Sequence, residues 1–110
     1  MKEKHVTFIN PKVENSFEEL RKGKFESKKL FEFIERAIKD LKNNPCCGVR
    51  IQNKQVPKEY IKKFGIDNLW KYNLPNAWRL LYTIKGNDIT ILSVILEWLD
   101  HKNYERKFKY

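Results

Sequence analysis

Between Asn68 and Tyr110 the apolar residues recur at the two-residue period of a β-strand, and the pattern predicts two strand hairpins followed by a short basic tail. From Trp78 to Ile84 it places Trp78, Leu80, Tyr82 and Ile84 on one side, with Arg79, Leu81 and Thr83 on the other. Gly86-Asn87 offers the two positive-φ positions of a tight turn. With Lys85 facing Asp88 across it, Ile84 pairs with Ile89, Tyr82 with Ile91, Leu80 with Ser93, and Arg79 lies against Val94. The preceding strand, Leu69 to Leu74, admits two registers. A two-residue Pro75-Asn76 loop sets Tyr72 beside Arg79 and sends Lys71 into the apolar face. A loop from Pro75 to Ala77 lets Leu74 meet Trp78 and keeps Trp70, Tyr72 and Leu74 on the apolar side. A one-residue slip exchanges every side chain between faces, so the cost of burying a lysine decides for the longer loop. Lys71, Asn73 and Arg79 are then expected to share the face left open.

Upstream, His5 to Ile9 alternates as a short strand, and Asn10-Pro11 marks a helix start, since asparagine caps free amides and proline fits the first helical position. Ser16 and Glu19 form a capping box if that helix begins later. Val13, Phe17 and Leu20 follow at helical spacing up to Gly23. A second helix is expected over Ser27 to Asn43, with Leu30, Ile34, Ala37, Ile38 and Leu41 as its stripe, widened by Phe31 and Phe33. The short link makes the two an antiparallel hairpin covering one face of the sheet. Gly48 to Gln55 is ambiguous, Pro57 to Phe64 predicts a short helix ended by Gly65, and Asp100 can cap a final turn. The whole describes one α+β domain over residues 1–110: an antiparallel twisted sheet of about four strands with an N-terminal helical hairpin packed on one face.

Composition adds a soluble, basic character. The chain has 110 residues, a net charge of +9 and 41% hydrophobic residues. Residues 47–110 carry 12 basic and 6 acidic groups against 11 and 8 in residues 1–46, so the excess lies over the sheet half. Such a field favours polyanions by counterion release. No apolar run approaches a membrane span of about 20 residues and the start lacks a signal-like stretch, so a cytoplasmic protein without a membrane partner is expected. Cys46 and Cys47 are adjacent, poorly placed for a mutual disulfide and too few for a zinc site. No metal and no cofactor are expected.

The string Leu69-Trp70-Lys71-Tyr72-Asn73-Leu74-Pro75, then Trp78-Arg79-Leu80-Leu81-Tyr82-Thr83-Ile84, an apolar strand, and Asp100-His101-Lys102-Asn103-Tyr104 resembles the RelE/ParE superfamily of type II toxins. The order strand, two helices, three antiparallel strands and basic tail extends the resemblance over nearly the whole chain. It implies a RelE-like toxin of a toxin-antitoxin system, an mRNA interferase that cuts messenger RNA in the ribosomal A site and inhibits translation. It also implies a cognate antitoxin protein as partner. By the same resemblance Arg79 matches the strand arginine on the scissile phosphate and Lys71 a lysine of the preceding strand. His101, Lys102 and Tyr104 fall in the C-terminal segment holding further catalytic groups. Asn73 stands where some members carry a second lysine, and Tyr104 follows His101 more closely than in many.

Elementary chemistry gives these residues content of their own. Metal-free RNA cleavage needs the 2′-hydroxyl deprotonated, the phosphorane charge held and the leaving 5′-oxygen protonated. Arginine's planar fork suits the second task, lysine adds a cation or a base, and histidine ordinarily titrates near neutrality. Tyr104 is expected to donate a proton or stack on a base. Lys58, Lys62, Lys63, Asn73, Arg106 and Lys107 are candidate RNA contacts. The competing assignment makes Arg79 an ion-pair partner of Glu97 or Asp100, His101 a helix cap, and the lysines a solvated surface. A ParE-like toxin that inhibits DNA gyrase without nuclease chemistry is the alternative function. Leu81, Leu92, Val94, Leu96 and Trp98 leave more grease on the open face than RNA requires, so part of it, or the groove beside the helical hairpin, is expected to dock the antitoxin.

Overall fold

The computed structural model describes residues 2–109. Strand β1 (Glu3–Phe8) leads into α1 (Pro11–Arg21), whose start is fixed by Asn10: its side chain accepts from the Val13 amide at 2.9 Å. Ser16, the other candidate cap, lies inside the helix and bonds back to the Lys12 carbonyl at 3.0 Å. Helix α2 (Phe25–Asn43) returns antiparallel to α1 and buries Leu30, Ile34, Ala37 and Leu41. After a short 3₁₀ turn come β2 (Val49–Ile51), α3 (Lys58–Phe64), β3 (Leu69–Asn73), β4 (Arg79–Gly86), β5 (Thr90–Leu99) and α4 (His101–Phe108). Gly65 ends α3 with φ +62°, the left-handed value a helix C-terminus favours in glycine, and the Asp100 side chain caps α4 by accepting from the Asn103 amide at 2.9 Å.

The protein is α+β with a five-stranded mixed sheet in the order β1-β5-β4-β3-β2. The expected antiparallel sheet of about four strands is corrected twice. The ambiguous segment around Val49 supplies a further edge strand, and β1 pairs parallel to β5. Parallel neighbours need a long connection, and the chain between β1 and β5 provides it.

Between β3 and β4 the longer loop is the one formed. Asn73 faces Arg79, Tyr72 faces Leu80, Lys71 faces Leu81, and the Leu74 amide donates to the Trp78 carbonyl at 2.9 Å. Asn76 and Ala77 both take positive φ to close it. The β4–β5 hairpin departs from expectation. Gly86 and Asn87 make no two-residue turn; Gly86 pairs with Ile91, and the Asn87 side chain accepts from the amides of Ile89 and Thr90. The strands therefore slip by four residues, setting Tyr82 against Ile95 and Ile84 against Ser93. Four is even, so faces are conserved across that slip.

An irregularity between Leu81 and Tyr82 then changes the phase. Tyr82 pairs with Ile95 but Leu81 pairs with Glu97, leaving Leu96 as an extra residue on β5. Beyond it Trp98 faces the helical hairpin opposite Leu80, and Glu97 turns to the other side.

That other side is not open. The hairpin face is filled by Phe17, Leu30, Ile34, Leu80, Tyr82 and Ile95. The opposite face packs Leu69, Leu81, Val94 and Leu96 against Tyr60 of α3 and against Tyr104 and Phe108 of α4. The greasy surface expected for a partner is thus covered by the protein's own short helices. Trp98 belongs to the first core.

Candidate functional site

Three elements bring Lys71, Arg79 and Tyr104 together. Register places Lys71 on β3 opposite Leu81, and Arg79 on β4 between Asn73 and Leu99. Because α4 begins at His101, directly after β5 and its cap, Tyr104 comes down one turn later onto this end of the sheet, where it is 2% exposed. Lys71 Nζ donates to Tyr104 Oη at 3.1 Å and lies 5.2 Å from the ring centroid. Arg79 Cζ is also 5.2 Å from that centroid. One aromatic ring therefore carries a guanidinium and an ammonium, whose attraction to the ring offsets part of their mutual repulsion.

Arg79 is half-buried, and among the described residues no carboxylate pairs with it. Its Nη1 donates to the neighbouring Trp78 carbonyl at 3.3 Å, and its Nε is buried without a partner. The competing ion pairs are not formed. Asp100 is occupied in capping α4, and Glu97 accepts from Tyr60 and, at 3.1 Å, from Lys107. Buried N–H groups are ordinarily satisfied, so the unpaired Arg79 Nε is an exception.

The other candidates are distributed differently. His101 is exposed, with Nε2 2.7 Å from Glu105 Oε1. Lys102 is exposed beside it, and Asn73 is exposed opposite Arg79. Lys58, Lys62 and Lys63 are exposed on α3, Arg106 is exposed on α4, and Lys107 is held by Glu97 and, at 3.9 Å, by Glu59. The structure thus joins three of the five catalytic candidates and leaves His101 and Lys102 at the start of α4, facing solvent.

Tyr60, which has no role assigned from the sequence, ties α3 to β5 and α4 beside this site. Tyr60 is buried under Lys107, whose Nζ is 5.2 Å from its ring centroid, and its hydroxyl donates to Glu97. Burial and the Glu97 carboxylate push its phenol above the usual range. The sequence signal for this latch is the aromatic spacing Tyr60/Phe64 and Tyr104/Phe108, four residues apart on each short helix. Tyr72 and Tyr82 serve the other face. Burial and Asp40, which accepts from its hydroxyl, push Tyr72 up to about 12. Tyr82 donates to the Pro45 carbonyl at 2.7 Å and is raised by burial. Cys46 and Cys47 are free, and burial pushes the Cys47 thiol up, away from the thiolate.

No family model, no curated protein and no solved structure matches this chain. Among the described residues no helix is long and apolar enough to cross a membrane, and no group of three or more His, Cys, Asp or Glu gathers as metal ligands do.

Proposed function

We propose that this chain is a RelE-like toxin: a cytoplasmic endoribonuclease that cuts messenger RNA without a metal ion, in the ribosomal A site, and is restrained by an antitoxin protein. The observation that carries this is the convergence of Lys71 and Arg79 on the Tyr104 ring, with the Arg79 charge lacking a carboxylate partner among the described residues. In the reaction the 2′-oxygen attacks phosphorus, the bond to the 5′-oxygen breaks, and a cyclic phosphate and a 5′-hydroxyl result. Arg79 grips two phosphate oxygens and Lys71 adds charge to the phosphorane. In this reading Tyr104 Oη, which accepts from Lys71, gives the leaving oxygen its proton once substrate displaces the groups that cover it. His101 takes the 2′-proton after its link to Glu105 is exchanged for substrate. The antitoxin docks beside the helical hairpin, where Phe33, Arg36, Tyr72 and Pro75 border a groove of about 480 Å³.

The test is induced expression in a bacterial host with primer-extension mapping of transcripts. Growth arrest with new 5′ ends inside coding regions is expected, lost in Arg79→Ala and in the double change Lys71→Ala/His101→Ala. Toxicity undiminished in both variants removes the site assignment. One observation favours the ParE-like alternative, gyrase inhibition without cleavage: His101 is engaged by Glu105 apart from the two cations. That alternative yields a DNA-damage response with intact messenger RNA.

A further inference from the structure

A cleft of about 900 Å³ runs between the turn at Asn53–Gln55, the start of α3 and the end of α4. Its lining includes Lys54, Lys58, Arg106, Lys107 and Lys109, with Glu59 as the one carboxylate. We propose that this cleft is a second, sequence-blind site for the sugar-phosphate backbone of single-stranded RNA. The inference rests on the ribonuclease reading and deepens it by assigning a path for the strand away from Arg79.

Charge that is left unpaired is the first reason. Along the helical hairpin, residues 11–43, seven acidic groups are interspersed among nine basic ones, and Arg21–Glu18, Lys22–Glu19, Lys29–Glu32 and Arg36–Asp40 pair locally, whereas the cleft gathers five cations around a single carboxylate. In the cleft Lys54, Lys58, Arg106 and Lys109 form no ion pair among the described residues, although two distant chain segments have been folded together to place them there. Like charges gathered this way repel one another until a polyanion enters. Lys109 also takes a left-handed backbone, φ +51°, at the end of α4, a conformation a lysine adopts at a cost.

The remaining lining decides which polyanion. Val56 and Pro57 are half-buried and Phe108 is buried, so among the described residues no exposed ring lines the cleft as a platform for stacking bases. Nor does the cleft present an apolar stripe for an acidic amphipathic helix. Backbone phosphates are what it fits. Helix α4, about 12 Å long, links the two regions, with Tyr104 beside Arg79 near one end and Lys109 at the cleft at the other. Lys107 ties the two regions through Glu97.

The experiment is fluorescence anisotropy with a short labelled oligouridylate and its uncleavable deoxy counterpart, over about 0.05–0.3 M salt. In Lys54→Ala/Lys58→Ala/Lys109→Ala the slope of log K against log salt is expected to fall by about 2, since each single-strand phosphate contact contributes about 0.7. The same charge removed elsewhere, Lys12→Ala/Lys28→Ala/Lys39→Ala, is expected to leave the slope in place, with thermal melts verifying that both variants fold. Equal slopes in the two variants overturn the proposal. So does an unchanged RNA slope together with lost binding of polyglutamate, which reassigns the cleft to an acidic protein. Cleavage is scored separately, by primer extension on messenger RNA bound to ribosomes: cut products without cleft-dependent binding remove the cleft alone, and cleft-dependent binding without cut products removes the nuclease reading alone.

Discussion

In the proposed reaction Arg79 carries the most weight, and its setting is unusual: its Nε is buried without a partner while its guanidinium lies 5.2 Å from the Tyr104 ring centroid. Arg79→Ala is expected to reduce single-turnover RNA cleavage by about 10²–10³-fold, as for loss of one group that holds transition-state charge. Arg79→Lys should recover only part of this, since an ammonium keeps the charge without the planar fork. Three tyrosines supply a pH prediction. Tyr60, Tyr72 and Tyr82 all have raised phenols, Tyr72 to about 12. The unfolded chain releases these protons near pH 10, so their contribution is fully present below that pH and disappears as pH rises through the folded values. Equilibrium unfolding should show stability falling above about pH 10, with a shallower fall in Tyr72→Phe.

At the level of elements, α4 is the critical piece, because it both covers the second core and supplies Tyr104. Phe108→Ala should cost about 3 kcal/mol in denaturant unfolding and weaken cleavage as well, since it loosens the helix that carries Tyr104. The parts of the fold that were legible in the sequence are those governed by local chemistry. Asn10, Gly65 and Asp100 mark helix ends by capping, and the burial cost of Lys71 selects the β3–β4 register. The β4–β5 register was hidden because alternation is blind to an even slip, and Asn87 closes a wider loop with its side chain. The phase change at Leu96 was hidden as well; without it Glu97 would face the hairpin core, and with it Glu97 meets Tyr60 and Lys107. The same limit applied to the candidate site. Lys71 and Arg79 follow from strand parity, whereas the position of His101 depends on how α4 lands, which periodicity does not encode.

Across the whole molecule, charge and packing separate into two territories. Acidic and basic groups alternate along the helical hairpin, while cations with a single carboxylate among them gather where the start of α3 meets the end of α4. RNA affinity should therefore respond steeply to ionic strength, and more to substitutions in residues 54–58 and 106–109 than to an equal number on α2.

The doubly covered sheet has a further consequence. Leu80 and Tyr82 of β4 belong to one core and Leu81 to the other; on β5, Ile95 belongs to the first and Val94 and Leu96 to the second. Neither layer can melt without stripping the inner strands of the other. Amide exchange should consequently report one common opening energy for β4 and β5, and a thermal scan a single transition, so that damage on either flank is felt by both.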